Sequence, residues 1–176
     1  MNRIDKIKNM HTTLAEFSYS PAPLEKGYTR KTLYVNVSEN RIMEKPVSSE
    51  MEYLFVGGKG FGLWLLWHAV KEDTKWDDPD NEIVISSGPL GGTSSFPGSG
   101  KSLVVSISPT TGSVMDCNVG GHFGPLLKFS GWDAIELQGK AQKDVIIIID
   151  GIKNKVSIEE APAEAVDSHL IAEELT

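Results

Sequence analysis

Apolar and polar residues alternate with a period of two along several stretches of this chain, and that period predicts strands. Residues 32–37 (TLYVNV) alternate and are β-rich, Glu39-Asn40 supplies a turn, and residues 41–45 (RIMEK) return, so a hairpin is expected here. Further strands are expected over 82–87, 103–108, 113–116, 134–138, 145–150 and 156–158. Helical signals are fewer. Ser48 is placed to cap a short helix whose first turn carries Glu50 and Glu52. After the interruption Gly57-Gly58-Lys59-Gly60, residues 61–70 (FGLWLLWHAV) are apolar almost all round, the pattern of a buried helix. Pro125 is placed to open a helix of one or two turns over 125–129, stopped by Gly131, and 165–175 reads as the start of another.

About eight strands and few helices predict an α+β fold with a mixed, largely antiparallel sheet. The long helices that alternate with strands in a parallel sheet are missing. Residues 1–27, mixed in charge and ending in Pro21-Ala22-Pro23, read as an N-terminal arm with a helical turn or two. Residues 28–176 read as one domain, apparently incomplete at its C-terminal end.

Composition narrows the chemistry. A formal net charge of -7 provides no basic footprint for nucleic acid or an anionic membrane. The longest apolar run, residues 145–149, is strand-sized, and the N-terminus has no apolar segment of the kind a secretion signal needs. A soluble protein in a reducing cytoplasm is expected. A single cysteine, Cys117, cannot build a disulfide framework or a thiolate metal cage by itself. His68, alone on the apolar helix, reads as a core side chain before a ligand.

Nine of the 17 glycines fall within residues 88–124, a window of only 37 positions. Glycine costs backbone entropy, so such crowding points either to tight turns or to main chain lying against something broad. Gly98-Ser99-Gly100-Lys101-Ser102 ends like a phosphate-binding loop, but Ser95 stands where its first glycine belongs, and a strand-like segment follows where a helix is required. Gly58 and Gly60 likewise lack the third small residue of a dinucleotide fingerprint, because Leu63 occupies it. What remains is a cationic Lys101 between loops at Gly91-Gly92 and Gly120-Gly121, an arrangement suited to an extended anionic ligand. An ordinary solvated lysine on a hairpin is the other reading of the same residues.

Several blocks carry a resemblance. They include Leu54-Phe55-Val56-Gly57-Gly58-Lys59-Gly60, Ser87-Gly88-Pro89-Leu90-Gly91-Gly92-Thr93, Gly98-Ser99-Gly100-Lys101 and Ser108-Pro109-Thr110-Thr111-Gly112. The run from Asn118-Val119-Gly120-Gly121-His122-Phe123-Gly124 to Leu127-Lys128-Phe129, followed by Gly131-Trp132-Asp133-Ala134-Ile135, completes the set. From residue 28 to about 158 the sequence resembles the amino-terminal domain of the aldehyde:ferredoxin oxidoreductases, a family of tungsten-pterin enzymes that includes the tungsten subunit of benzoyl-coenzyme A reductases. The resemblance implies a base on which two pyranopterin-dithiolenes lie, holding tungsten, with magnesium bridging their phosphates. It implies that Asn118 offers its main-chain oxygen to that magnesium, that Lys101 contacts the pterin where many members have arginine, and that Gly120, Gly121, Gly91 and Gly92 face the cofactor. His122 stands where an aromatic such as tyrosine is common. The implied activity is oxidation of aldehydes to carboxylic acids with ferredoxin as acceptor. The implied 4Fe-4S cluster belongs to later domains, and the implied partners are the remainder of the oxidoreductase or a complementary subunit, with self-association also expected. No general base is assignable. A scaffold or assembly protein that keeps the fold without the chemistry is the alternative.

Overall fold

The computed structural model describes residues 12–161, residue 97 excepted. Its centre is a six-stranded sheet built from β2 (Lys31–Asn36), β3 (Arg41–Pro46), β4 (Glu82–Ser86), β5 (Ser102–Ile107), β6 (Val114–Val119) and β7 (Ala134–Gln138), in the order β3-β2-β7-β4-β5-β6. Only β2 and β7 run parallel; every other neighbouring pair is antiparallel. The expected hairpin is β2–β3, turned at Asn40, whose φ of 50° suits asparagine. The mixed, largely antiparallel α+β architecture is the one the hydrophobic pattern predicts.

A second sheet of three antiparallel strands, β1 (Thr13–Ser18), β9 (Lys155–Glu160) and β8 (Val145–Asp150), lies in the order β1-β9-β8. The core between the sheets follows from period two: Leu33 and Val35 of β2 and Ile135 of β7 point to one side and meet Val156 and Ile158 of β9. Trp132, fully buried, fills one end of this layer against the Tyr19 ring, 4.6 Å between centroids. Thr13–Ser18 is therefore a strand, where the sequence suggested an arm with helical turns. The physical reason is β9: a strand buried in the middle of a sheet needs a partner on both edges, and Ala15 and Phe17 alternate so that both pack into the core. Residues 1–11 and the helix expected over 165–175 lie outside the described residues.

The opposite face of the large sheet carries the helices α1 (Ser49–Leu54) and α2 (Lys59–Ala69). Ser48 caps α1 as expected, its hydroxyl accepting from Met51 N at 3.1 Å. Leu66 of α2 packs on Val84, Val105 and Ala134. Gly62 allows the close approach, since a Cβ there would fall 2.5 Å from a Val105 methyl. The sheet covers only one side of α2. Trp67 is 81% exposed, as are Tyr53 (87%) and Val56 (73%) nearby in the chain, so a helix with the composition of a buried one has an uncovered face among the described residues. His68 is likewise exposed, contrary to its reading as a core side chain; its ring lies on Trp64 and its Nδ1 is 2.7 Å from the Trp64 carbonyl oxygen.

Two boundaries differ from those the residues suggest. β6 continues through Cys117, Asn118 and Val119, because pairing with β5 as far as Ser102↔Val119 outweighs the weak strand preference of Asp116 and Asn118. The third helix, α3 (Phe123–Phe129), opens two residues early, with Pro125 in its first turn, where a missing N–H costs nothing.

One polar feature is buried within the helix-side face. Glu136 of β7 accepts hydrogen bonds from Thr32 and from Lys45 Nζ at 2.6 Å. Glu82 of β4, only 1% exposed, has neither carboxylate oxygen hydrogen-bonded among the described residues. Burial, aided by the charge of Glu136 and opposed by Lys45, pushes its carboxyl up to about 8. The folded state thus keeps a proton that the unfolded chain releases near 4.5, so the Glu82 contribution to stability falls as pH rises from about 4.5 to 8. Glu82→Gln removes this dependence. Relative to wild type, the variant is expected to gain stability with rising pH across that window, by a few kcal/mol at about 1.4 kcal/mol per unit. Denaturant unfolding at a series of pH values checks it, and parallel curves for the two proteins would contradict the assignment.

Candidate functional site: a rim of glycine loops

Strand register decides where the glycine loops lie. Ser86 at the end of β4 pairs with Leu103 near the start of β5 and with Ala134 at the start of β7; Ser102 pairs with Val119 at the end of β6; and Ala134 pairs with Thr32 near the start of β2. Residues 27–30, 87–96, 98–101, 120–122 and 131–133 are consequently gathered at one end of the large sheet. The turn before α2 joins them, Gly58 N donating to Ser87 O at 3.2 Å. Tyr28 ties the same corner together through its hydroxyl, which donates to Val56 O at 2.6 Å.

Close approach of main chain dominates this rim. A Cβ on Gly27 would lie 2.2 Å from Pro89 O, and one on Gly57 would lie 3.1 Å from Gly88 Cα. Gly91 N donates to Gly88 O at 2.9 Å and Gly92 N to Ser99 O at 3.1 Å, folding the loop back on itself, while Gly92 sits against the Phe129 ring of α3. Beneath the loops, the Ser87 and Ser102 hydroxyls are buried without a hydrogen-bond partner among the described residues; Gly91 rests on the first and Gly124 on the second, at added-Cβ distances of 2.9 and 2.5 Å.

Lys101, Gly100, Gly120 and Gly121 come together directly. An added Cβ on Gly100 would lie 3.2 Å from Gly121 O, and the Lys101 Nζ is 4.0 Å from the Cβ position of Gly120. Lys101 is exposed and makes no ion pair among the described residues. Gly92 joins this group through Ser99 O and through α3, which begins just after Gly121, while Gly91 beside it bonds back to Gly88 O. Asn118 is exposed on β6, the last strand of its sheet, so half of the β6 main-chain groups face away from the ladder. Asp116, two residues before it, pairs with Lys59 of α2 at 2.7 Å, which sets Asn118 on the α2 side of the strand.

Glycine at 88 and 120 is the telling detail. Neither has a positive φ, an added Cβ at 88 would meet nothing within 4 Å, and one at 120 would meet only the end of a flexible lysine. Packing within the described chain does not demand glycine at these two positions. Their bare backbone leaves open space at Gly88 and, beside the Lys101 ammonium, at Gly120, a fit to a broad ligand that must lie against main chain. No cluster of His, Cys, Asp and Glu among the described residues could hold a metal ion, so a ligand here would be met by main-chain groups, the Lys101 ammonium and uncharged polar side chains.

The phosphate-loop reading fails as expected, because Ser102–Ile107 is a strand; Gly58 and Gly60 open a helix that follows another helix, which is not a dinucleotide site. Sequence reasoning missed the polar strut behind the rim. Lys128 of α3, 2% exposed, pairs with Asp133 and donates to Gly27 O at 3.1 Å, while the Asp133 carboxylate accepts from Thr29 N at 3.1 Å and Arg30 N at 2.7 Å. The available signal was a lysine inside the apolar run Leu126-Leu127-Lys128-Phe129, five residues before an aspartate.

Similarity to known proteins agrees with this geometry. Residues 32–175 match the family described as aldehyde ferredoxin oxidoreductase, N-terminal domain. The tungsten-containing aldehyde ferredoxin oxidoreductase of Pyrococcus horikoshii is 40% identical over 150 residues, which is 84% of this chain and 23% of that protein. The enzyme of the same description from Pyrococcus abyssi is 38% identical over 123 residues, 70% of this chain and 20% of that protein. Among solved structures, the active-site complex BamBC of benzoyl coenzyme A reductase, in complex with 1,5-dienoyl-CoA, superimposes with a TM-score of 0.72 at 28% identity, covering 82% of this chain and 21% of that one. The chain thus spans between a fifth and a quarter of the length of these relatives. With a family match over most of its residues and a fold shared with a related enzyme, the chain belongs to the aldehyde ferredoxin oxidoreductase family, as its N-terminal domain.

Proposed function

We propose that the glycine rim cradles one side of a tungsten bis-pyranopterin within a ferredoxin-linked oxidoreductase acting on aldehydes. The observation that carries this reading is the bare main chain at Gly120 beside the exposed ammonium of Lys101, which makes no ion pair among the described residues, with Gly88 left equally open in the neighbouring loop. Gly91, Gly92, Gly120 and Gly121 let a planar ligand approach the backbone, whose N–H groups suit anionic oxygens. Lys101 supplies one positive charge to a pterin phosphate or ring oxygen. It acts as a flexible point charge and lacks the two-pronged grip of arginine. Asn118, exposed on the outer strand, would offer its main-chain oxygen to a magnesium ion bound with the cofactor. Bound there, the tungsten cofactor supplies the two-electron chemistry by which an aldehyde and water give a carboxylic acid, two protons and two electrons. In the complete enzyme a 4Fe-4S cluster would accept these electrons and ferredoxin would be their acceptor. The lone Cys117 cannot supply four thiolates, so the cluster ligands belong to polypeptide beyond this segment.

The uncovered apolar face supports the same assignment of a part within a larger enzyme. Phe55, Leu63, Trp64, Trp67, Val70 and Val114 line a groove between α2 and the start of β6, and an exposed apolar surface of this kind marks a contact with other polypeptide. The remainder of the oxidoreductase, a complementary subunit or a second copy of the chain would cover it.

Two outcomes are expected. In the intact enzyme, Lys101→Ala loses a charge-assisted contact of about 1.5–3 kcal/mol, so cofactor is retained some ten- to a hundredfold less tightly, and Lys101→Arg retains it. Tungsten by elemental analysis and pterin fluorescence, each per mole of chain, measure this; an intact protein with neither metal nor pterin overturns the reading in favour of a scaffold. The isolated chain self-associates through the α2 groove, and Trp67→Glu shifts it toward monomer. Light scattering showing a stable wild-type monomer at high concentration contradicts that.

A further inference from the structure

We infer that Lys128 and Asp133 are a positioning pair that fixes the 88–92 loop at the height the cofactor requires. The inference rests on the reading of the rim as a cradle, and it concerns two residues that are remote from solvent, with side chains 2% and 1% exposed. A buried ion pair is costly to desolvate and is weak evidence of stabilisation. Its consequence here lies in what it joins. The Lys128 ammonium binds the Asp133 carboxylate and Gly27 O, and the carboxylate accepts from the amides of Thr29 and Arg30. The Asp133 main chain adds two more ties, donating to Lys31 O at 2.9 Å and accepting from Ser87 N at 3.4 Å. Three segments, residues 27–31, the end of α3 and the base of the 88–92 loop, therefore meet at Asp133, the first two through its carboxylate and the third through its main chain.

The loop itself is held between two walls that both lead back to Lys128. On one side Gly27, whose carbonyl Lys128 binds, backs onto Pro89 with no room for a methyl group. On the other, the ring of Phe129, the next residue in α3, meets Gly92 at an added-Cβ distance of 2.8 Å. Displacing the ammonium releases Gly27 from one side and lets the end of α3 shift on the other. The loop hydrogen bonds at Gly91 and Gly92, which close within the loop, then lose their support.

The test uses hydrogen–deuterium exchange on the intact enzyme, prepared without cofactor, for wild type and for Lys128→Met, Asp133→Asn and Lys128→Arg. Cofactor content is measured separately on protein prepared with it. The expected result is that Lys128→Met and Asp133→Asn accelerate exchange at the Gly91 and Gly92 amides by about tenfold or more, leaving β8 and β9 unchanged. Lys128→Arg is expected to recover most of the protection, and cofactor content to follow the same order. Uniform acceleration across both sheets, or an unchanged loop in a destabilised protein, would overturn the inference and leave a purely structural pair. If Lys128→Met does not fold, the near-isosteric Asp133→Asn carries the comparison. Gly27→Ala, which keeps the ion pair and forces the Pro89 contact apart, is expected to loosen residues 88–92 alone, and a silent Gly27→Ala sinks the proposed route. Because the exchange readout needs no cofactor, the two readings fail separately. Protein devoid of tungsten-pterin counts against the cradle, whereas an indifferent loop counts against the pair.

Discussion

Gly27 lies so close to Pro89 that a methyl group would fall 2.2 Å from its carbonyl oxygen, and Gly57 lies almost as close to Gly88. Contacts of this kind, main chain on main chain without intervening side chains, let four separate segments converge at one end of the large sheet. The strands bring the segments there, since Ser86, Ser102, Val119, Ala134 and Thr32 all fall near the same end of their ladders. Glycine then lets the backbones meet, at the cost of conformational entropy that the chain loses on ordering them. The result is a rim in which main chain lies directly on main chain.

Support for the rim comes from both faces of the sheet. On one, the three-stranded sheet buries Leu33, Val35 and Ile135 and holds Trp132 in place immediately before Asp133. On the other, α2 packs on Val84 and Val105 and presents its Gly57–Gly58 turn to Ser87. The buried polar atoms divide by consequence. Lys128 and Asp133 satisfy each other and three chain segments, whereas Glu82 is buried without hydrogen bonds and keeps its proton as a result. Such backing suits the proposed recognition of a large cofactor through backbone.

Much of this was legible in the sequence because period-two alternation survives even in short strands: β2, β3, β4, β5, β7 and β8 fall within a residue or two of where their side chains place them. The extension of β6 through Asn118 was not, because a partner strand decided it against local preference. Nor was β1, whose alternation matters only once β9 needs a second neighbour. The α2 composition correctly signalled a helix, but not its burial, since the sheet covers one side only and Trp67 is exposed. At the site, the glycine excess and Lys101 stood out by composition. The Lys128–Asp133 strut stayed hidden because its partners at Gly27, Thr29 and Arg30 are about a hundred residues away in sequence.

The account turns on what lies against the bare backbone of Gly88, Gly91–Gly92 and Gly120–Gly121. An X-ray structure of the intact enzyme with data collected at a tungsten absorption edge measures this directly. The account predicts an anomalous tungsten peak with pterin density lying across the rim, in van der Waals contact with those glycines and within reach of Lys101. A tungsten site remote from the rim, with polypeptide filling the space before Gly120, would contradict it.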